Sequence, residues 1–377
     1  MRRLLLVVAV VGLLSAPIRG SATQGSRLPC SQTPQGVTVL DCGLEGFFSE
    51  GAKMYPDTTW EIAYQRGGAM GDVQPEVDVM HVTSLSGPPG LRECVITSRG
   101  DSPGCRQAAH FPYDPDIALF SSSIMAVWHY APSGGEGLFE SHRVFSSSMW
   151  TPESADTSNN GNHYSEASLD PAFGKYFLAI ANNPAGTPAD LVVQEVKDPT
   201  LPNPPWQPPT TVVSCVSSPV PCITPGFNGH AEQRADIADL GQGQMIAVWA
   251  GKNGGASGRS VWFATYTAST NTWQLHTKAI AAINGKDLYA PFIVLVNSTD
   301  LRVYFTGDGD NNPSQLAYVK SQNLGGSWGR VTLPSVPVGV TGTLGRPVVA
   351  VQNGSPICVC TWKDPTTNMF YLATFGV

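Results

Sequence analysis

Three short stretches of the 377-residue chain collect side chains that can move protons or hold anions. They read His110-Phe-Pro-Tyr113-Asp114-Pro-Asp116, His163-Tyr164-Ser-Glu166 and His230-Ala-Glu232-Gln-Arg234-Ala-Asp236. His110 and His230 each stand seven residues ahead of an isoleucine, Ile117 and Ile237, that opens an aliphatic run. Asp287 and Tyr289 precede a fourth such run and Arg346 a fifth. These residue types suit hydrolysis of an acidic glycan. Arg234 and Arg346 can grip a carboxylate through paired hydrogen bonds, with His110, Tyr113 and Glu166 as further substrate contacts. A carboxyl group among Asp116, Glu166 and Glu232 would protonate the leaving oxygen, and Tyr164 or Tyr289 would be the nucleophile. A second reading is eliminative cleavage of a uronic-acid polysaccharide. There His163 or His230 removes the proton alpha to the carboxylate, a tyrosine protonates the leaving oxygen and arginine neutralises the acid. A third is a metal held by the three histidines, and a fourth is a lectin-like or adhesion module that binds sugar without turnover. The hydrolytic reading ranks first and calls for no metal or cofactor.

Such residues act together only if distant segments bring them to one place. A recurring phrase supplies the means: a short β stretch, a turn, and an aliphatic strand often ending in Trp. Copies start at Asp114, Glu166, Arg234, Tyr289 and Gly345. Aligning their second strands sets Ala126, Ala179, Ala247, Val303 and Cys360 in register, at spacings of 53, 68, 56 and 57 residues. Four short strands in about 50 residues make one propeller blade. Residues 31–110 can supply one more, plus a strand that closes the ring onto the C-terminal blade. The expected fold is all-β, a six-bladed β-propeller, with five or seven blades as alternatives. The leading polar residues of each phrase would then sit in loops around one axis. The same tyrosines would also serve to pack one blade on the next.

Composition agrees. Charged residues make up 14%, while Gly and Pro number 39 and 31. So many breakers exclude a helical bundle, and the 42% hydrophobic content excludes disorder.

The segment Ser321–Trp328, Ser-Gln-Asn-Leu-Gly-Gly-Ser-Trp, resembles the Asp-box, Ser-x-Asp-x-Gly-x-Thr-Trp, with Asn323 for Asp and Ser327 for Thr. Together with "GRPVVAV" and "ADIADLGQGQMIAVW" it is similar to the sialidase-like (BNR-repeat) propellers over about Asp114 to Val377. The resemblance implies a structural role for the Asp-box, away from the substrate site. It maps a family glutamate onto Glu232, with Arg234 beside it, and a carboxylate-binding arginine onto Arg346. The family's Arg-Ile-Pro motif does not occur, and only Tyr371 follows Arg346.

Residues 1–22, with Arg2 and Arg3 ahead of the apolar run Leu4–Leu14 and a small-residue Gly20-Ser21-Ala22 site, read as a secretory signal peptide. The run is too short to span a bilayer. The expected product is one propeller domain, 23–377, secreted to the extracellular space or periplasm. Loss of Arg2, Arg3 and Arg19 leaves 19 basic and 29 acidic residues, a charge of −10 that disfavours nucleic acid. A glycan, carboxylate-bearing in the favoured reading, is the expected partner, and no membrane span is expected. Eight cysteines in a secreted chain suggest disulfides, with Cys30–Cys42, Cys94–Cys105 and Cys215–Cys222 as the local pairs. Cys358 and Cys360 remain, as buried thiols or with one joined to an N-terminal cysteine.

Overall fold

Strands dominate because apolar, β-branched and aromatic residues recur in short runs cut by turn formers. The computed structural model describes residues 34–44, 50–54, 59–66, 75–97, 105–107, 112–120, 123–130, 137–144, 149–152, 154–155, 163–172, 175–183, 190–196, 210–213, 222–223, 235–252, 258–283, 286–307, 315–338, 340, 344, 347–363 and 370–377. Every regular element among them is a strand. The proposed signal segment lies outside these residues, and no described helix is long and apolar enough to cross a membrane.

The strands form six sheets among the described residues. The N-terminal strand β1 (Thr38–Leu44) stands apart from its sequence neighbours. The first sheet runs β2 (Glu50–Met54), β3 (Trp60–Arg66), β4 (Glu76–Val82), β5 (Leu91–Thr97) and β6 (Arg106–Gln107). The second is β7 (Pro112–Phe120), β8 (Ser123–Tyr130), β9 (Gly137–Val144) and β10 (Ser154–Ala155). The third is β11 (His163–Ala172), β12 (Lys175–Asn183), β13 (Asp190–Val196) and β14 (Thr210–Val213). In the fourth, β17 (Gln244–Lys252) pairs with both β15 (Cys222–Ile223) and β16 (Ala235–Gly241), and β18 (Ser260–Thr267) and β19 (Thr272–Leu275) follow. The fifth is β20 (Leu288–Asn297), β21 (Asp300–Gly307) and β22 (Gln315–Ser321). The sixth is β23 (Val348–Gln352), β24 (Ser355–Lys363) and β25 (Phe370–Gly376), with β1 antiparallel to β25 on its outer edge.

The aligned residues Ala126, Ala179, Ala247, Val303 and Cys360 all fall on second strands: β8, β12, β17, β21 and β24. The strand expected from residues 31–110 is β1, seated on the last sheet. The first strands β2, β7, β11, β16, β20 and β23 each contact the next, and β23 contacts β2. The β23–β24 hairpin turns on Asn353-Gly354, with φ of 53° and 74°. That pair of left-handed residues is what a tight hairpin requires, and only glycine takes the second without a steric cost.

The core lies between sheets. On β17, Ile246 and Val248 face the fifth sheet's Leu301, Val303 and Phe305, whereas Ala247 and Trp249 face the third sheet's Phe177. Alternation along a strand thus buries both faces. Ile117, Ala126 and Trp128 pack likewise on Ala63 and Val77 of the first sheet. At the junction of first and last sheets, Gln352 Oε1 accepts the Leu85 N–H at 2.8 Å, and its amide nitrogen donates to Ser84 Oγ at 3.1 Å. Thr374 Oγ1 donates to the Leu85 carbonyl.

Cys94–Cys105 is bonded as expected, with Cα atoms 5.2 Å apart. Cys42 is also in a disulfide, while Cys30 and Cys215 lie outside the described residues. Cys358 and Cys360 differ from expectation by bonding to each other. Positions i and i+2 of a strand share a face, and their Cα separation of 5.5 Å suits a bridge.

Candidate functional site on the leading face

The first strands begin at one end of their sheets, the leading face, and three of them are bulged there. On β7, Asp114 and Pro115 together oppose Trp128, between the pairs Tyr113↔His129 and Asp116↔Val127. On β11, Glu166 is the extra residue between Ser165↔Ala181 and Ala167↔Ile180. On β20, Ala290 and Pro291 oppose Phe305, between Tyr289↔Thr306 and Phe292↔Tyr304, and Ala290 takes a φ of 44°. Proline has no N–H for the ladder, so a bulge accommodates Pro115 and Pro291. Beyond each bulge the ladder resumes. Tyr113, Tyr164 and Tyr289 therefore lie in strands, not in the loops ahead of them as expected. They also share one register step: their partners His129, Asn182 and Thr306 each lie two residues past the partner of the first residue after the bulge.

Tyr289 is the member whose side-chain contacts are described. Its hydroxyl donates to Asp287 Oδ2 at 3.2 Å. The Arg259 guanidinium lies over its ring, 4.8 Å from the centroid, and 3.7 Å from the same carboxylate oxygen. Arg259, 4% exposed, comes from the loop joining β17 and β18 of the neighbouring sheet. Its main-chain N–H donates to Asp287 Oδ1, and its carbonyl accepts the Leu288 N–H at 3.2 Å. A phenol between a carboxylate acceptor and a cation can give up its proton while both partners hold its place.

The other candidates are placed as follows. Asp116 is 2% exposed, and its Oδ1 accepts the Ile117 N–H at 2.8 Å. Asp236, at the corresponding point of β16, accepts the Ile293 N–H of β20 at 2.7 Å and so stitches two sheets. His163 opens β11 opposite Asn183, followed by Tyr164 opposite Asn182, with Glu166 in the bulge. His110, His230, Glu232, Arg234 and Arg346 lie outside the described residues.

No family model and no curated protein matches the chain. Solved structures do. An alpha-L-arabinanase of Penicillium chrysogenum complexed with arabinobiose is 10% identical, with 92% of this chain and 99% of that one covered and a TM-score of 0.54. A polysaccharide lyase of family PL25, an ulvan lyase, is 11% identical over 88% of this chain and 82% of its own, at 0.54. The Trypanosoma rangeli sialidase bound to 2,3-difluorosialic acid is 9% identical over 88% of this chain and 54% of its own, at 0.53. The likeness is one of fold, the β-propeller.

One charged cluster of the propeller has no counterpart among the sequence-based candidates. It sits where β1 meets the first sheet. Tyr64 donates to Asp41 Oδ2 at 2.8 Å, and Arg66 lies 3.6 Å from Asp41 and 3.5 Å from Glu76. Thr97 Oγ1 donates to Glu76 Oε2 at 3.4 Å, and Arg92 lies 3.4 Å from the fully buried Asp78. Burial, and then the charge of Glu76, raises the Asp78 carboxyl to about 7, against the pull of Arg92 and Arg66. Burial, then the charges of Asp78 and Asp41, pushes the Tyr64 phenol well above its ordinary range. Glu76, Cys94 and Cys105 come within 4.8 Å of one another, but with both sulfurs in a disulfide they are no metal-binding set. The signal was present as i, i+2 pairs, Tyr64 with Arg66 and Glu76 with Asp78. Such pairs share a strand face, and the cross-strand partners were what the sequence withheld.

Proposed function

We propose that this chain is a secreted six-bladed propeller that cleaves an acidic glycan on its leading face, with Tyr289 as the reacting phenol. The contacts that run from β2 round to β23 and back, with β1 completing the last sheet, support six blades in a closed ring. The observation that carries the function is the Tyr289–Asp287–Arg259 group at a register step shared with Tyr113 and Tyr164.

In the hydrolytic cycle Asp287 takes the phenolic proton as the Tyr289 oxygen bonds to the anomeric carbon. The glycosidic C–O bond breaks, and its oxygen takes a proton from a carboxyl group. Water then cleaves the tyrosyl-sugar bond, and the same groups act in reverse. Asp116, Glu166 and Glu232 are the proposed acids; Asp116 Oδ1 also accepts the Ile117 N–H. Arg234 and Arg346, with His110, Tyr113 and His230 around them, would hold the carboxylate. Arg259 keeps Tyr289 and Asp287 in place. Elimination is the second reading, favoured by Tyr164 lying at the same register step of β11 as Tyr289 on β20. Tyr164 would then protonate the leaving oxygen and His230 remove the proton alpha to the acid.

The test is to incubate the protein with a panel of acidic polysaccharides, following reducing ends and the ultraviolet absorbance of a new C=C bond. Hydrolysis gives the first signal alone; elimination gives both. Tyr289→Phe is expected to cut the rate by about 10²–10⁴-fold with the fold intact. Full activity in that variant would overturn the assignment of Tyr289, and binding without cleavage across the panel would point to a lectin.

A further inference from the structure

The outer edge of the fourth sheet and the turn after β22 enclose a cavity of about 560 Å³, remote from Tyr289. The turn's start is at the far end of the fifth sheet: Ser321 pairs with Leu301, whereas Tyr289 pairs with Thr306. Its walls come from the segment that resembles the Asp-box and from the strand edge beyond β19.

The turn is rigidly built. Ser321 Oγ accepts the Gly325 N–H at 2.8 Å, Asn323 Oδ1 accepts the Ser327 N–H at 2.8 Å, and Gly325 holds a φ of 95°. Trp328 at its end meets Phe263 edge-on, with ring centroids 5.7 Å apart. The other side of Phe263 is taken by His276, stacked at 4.0 Å and nearly parallel. His276 is itself anchored, with Nε2 3.1 Å from Thr265 Oγ1.

The facing wall carries the polar groups. The His276 N–H donates to the Phe263 carbonyl and the Ile280 N–H to the Val261 carbonyl. Thr277, Lys278 and Ala279 therefore stand out of the ladder opposite Trp262 and line the cavity. Lys278 is exposed at the rim and brings an ammonium group, and Thr277 and Ser327 add hydroxyls. A cavity of this size, with aromatic rings on one side and hydroxyl-bearing residues and a lysine at its rim, has the make-up of a small-molecule site.

We propose that this pocket binds one carboxylate-bearing sugar unit of a polysaccharide. Its ring would rest against the Trp328 indole, and its carboxylate would lie at the Lys278 ammonium and the Thr277 hydroxyl. The pocket would hold the chain at the rim while another part of the polymer occupies the leading face. It stands on its own walls and does not require Tyr289 to be catalytic.

Hydrogen exchange with trigalacturonate as the probe tests it. The probe is expected to slow exchange in 276–283 and 321–332 of the full chain. Maltotriose, neutral and similar in size, and inorganic phosphate should not. Lys278→Glu should weaken that protection at least about tenfold, as loss of a charge-assisted contact does. Thr277→Trp, which fills the mouth from an exposed position, should abolish it. Tyr289→Phe should retain it, so failure at the leading face and failure here are distinguishable. Unchanged exchange in these segments at saturating trigalacturonate overturns the site. Equal protection by maltotriose or by phosphate, or full protection in Lys278→Glu, overturns the recognition of a sugar carboxylate.

Discussion

The cluster between β1 and the first sheet holds three carboxyl groups, Asp41, Glu76 and Asp78, against two guanidinium groups, Arg66 and Arg92. One carboxyl in excess should keep a proton, and hydrogen bonding selects which. Asp41 accepts from Tyr64, and Glu76 from Thr97. Neither oxygen of Asp78 has a hydrogen-bond partner among the described residues, although Arg92 lies 3.4 Å from Oδ2. Its value in the folded protein, about 7, lies above the 3.8 of the unfolded chain. The folded state thus binds a proton that the unfolded state releases. This contribution is complete below about pH 4, declines as pH rises, and levels off above about 7. At about 1.4 kcal/mol for each pH unit across that interval, the full effect is about 4 kcal/mol. Asp78→Asn keeps the shape and removes the titration. Urea unfolding at pH 5, 6, 7 and 8, followed by tryptophan fluorescence, should show the variant gaining on the parent by about 2–3 kcal/mol from pH 5 to 7, then by only about 0.3–0.4 kcal/mol more to pH 8. A stability difference that is flat over this range, or that shrinks as pH rises, would refute the reasoning.

Two further outcomes concern the joints between sheets. Asp236→Ala leaves the Ile293 N–H without its carboxylate acceptor and should cost about 1.5–3 kcal/mol in urea unfolding, whereas Asp236→Asn, which retains an acceptor oxygen, should recover much of it. Gln352→Ala strips the acceptor from the Leu85 N–H and should lower stability by about 1–2 kcal/mol, read as a fall in melting temperature.

The sheet pattern was legible because central strands such as β3 and β17 are buried on both faces. A run such as Met245–Ala250 keeps its apolar character without a break, and repeats of such runs at nearly even spacing can be aligned by eye. Two kinds of feature were not legible, for separate reasons. The bulges were hidden because proline marks the end of a strand in most sequences. In Tyr113-Asp-Pro115 and Tyr289-Ala-Pro291 it marks an interruption after which pairing resumes. Recurrence of Tyr-x-Pro ahead of two aligned phrases was the available clue. The ionic cluster was hidden because its members come from four strands, of which β1 belongs to the opposite end of the chain's sheet order. The Cys358–Cys360 bond required the two cysteines to be read as each other's partners, although their shared strand face was evident from spacing alone.

One junction between sheets is the expected weak point. Chain continuity joins each sheet to the next, but the last sheet is tied to the first only through β1, which pairs with β25 and continues in sequence toward β2. Here that junction is made by β1 on β25, by Gln352 and Thr374 reaching the 84–85 turn, and by the Asp41–Arg66–Glu76 ion pairs. Apolar residues of both ends, Leu40, Trp60, Ile62 and Phe375, fill the space between. The apolar contacts are insensitive to pH and the ionic ones are not. Raising pH through 7 ionises the excess carboxyl in this junction and in no other described one, so loss of stability should begin here. Hydrogen exchange at pH 8 should quicken in 38–44 and 76–82 before it quickens in 244–252, whose strand is buried on both faces away from any such cluster. Uniform quickening across the three segments would place the weak point elsewhere.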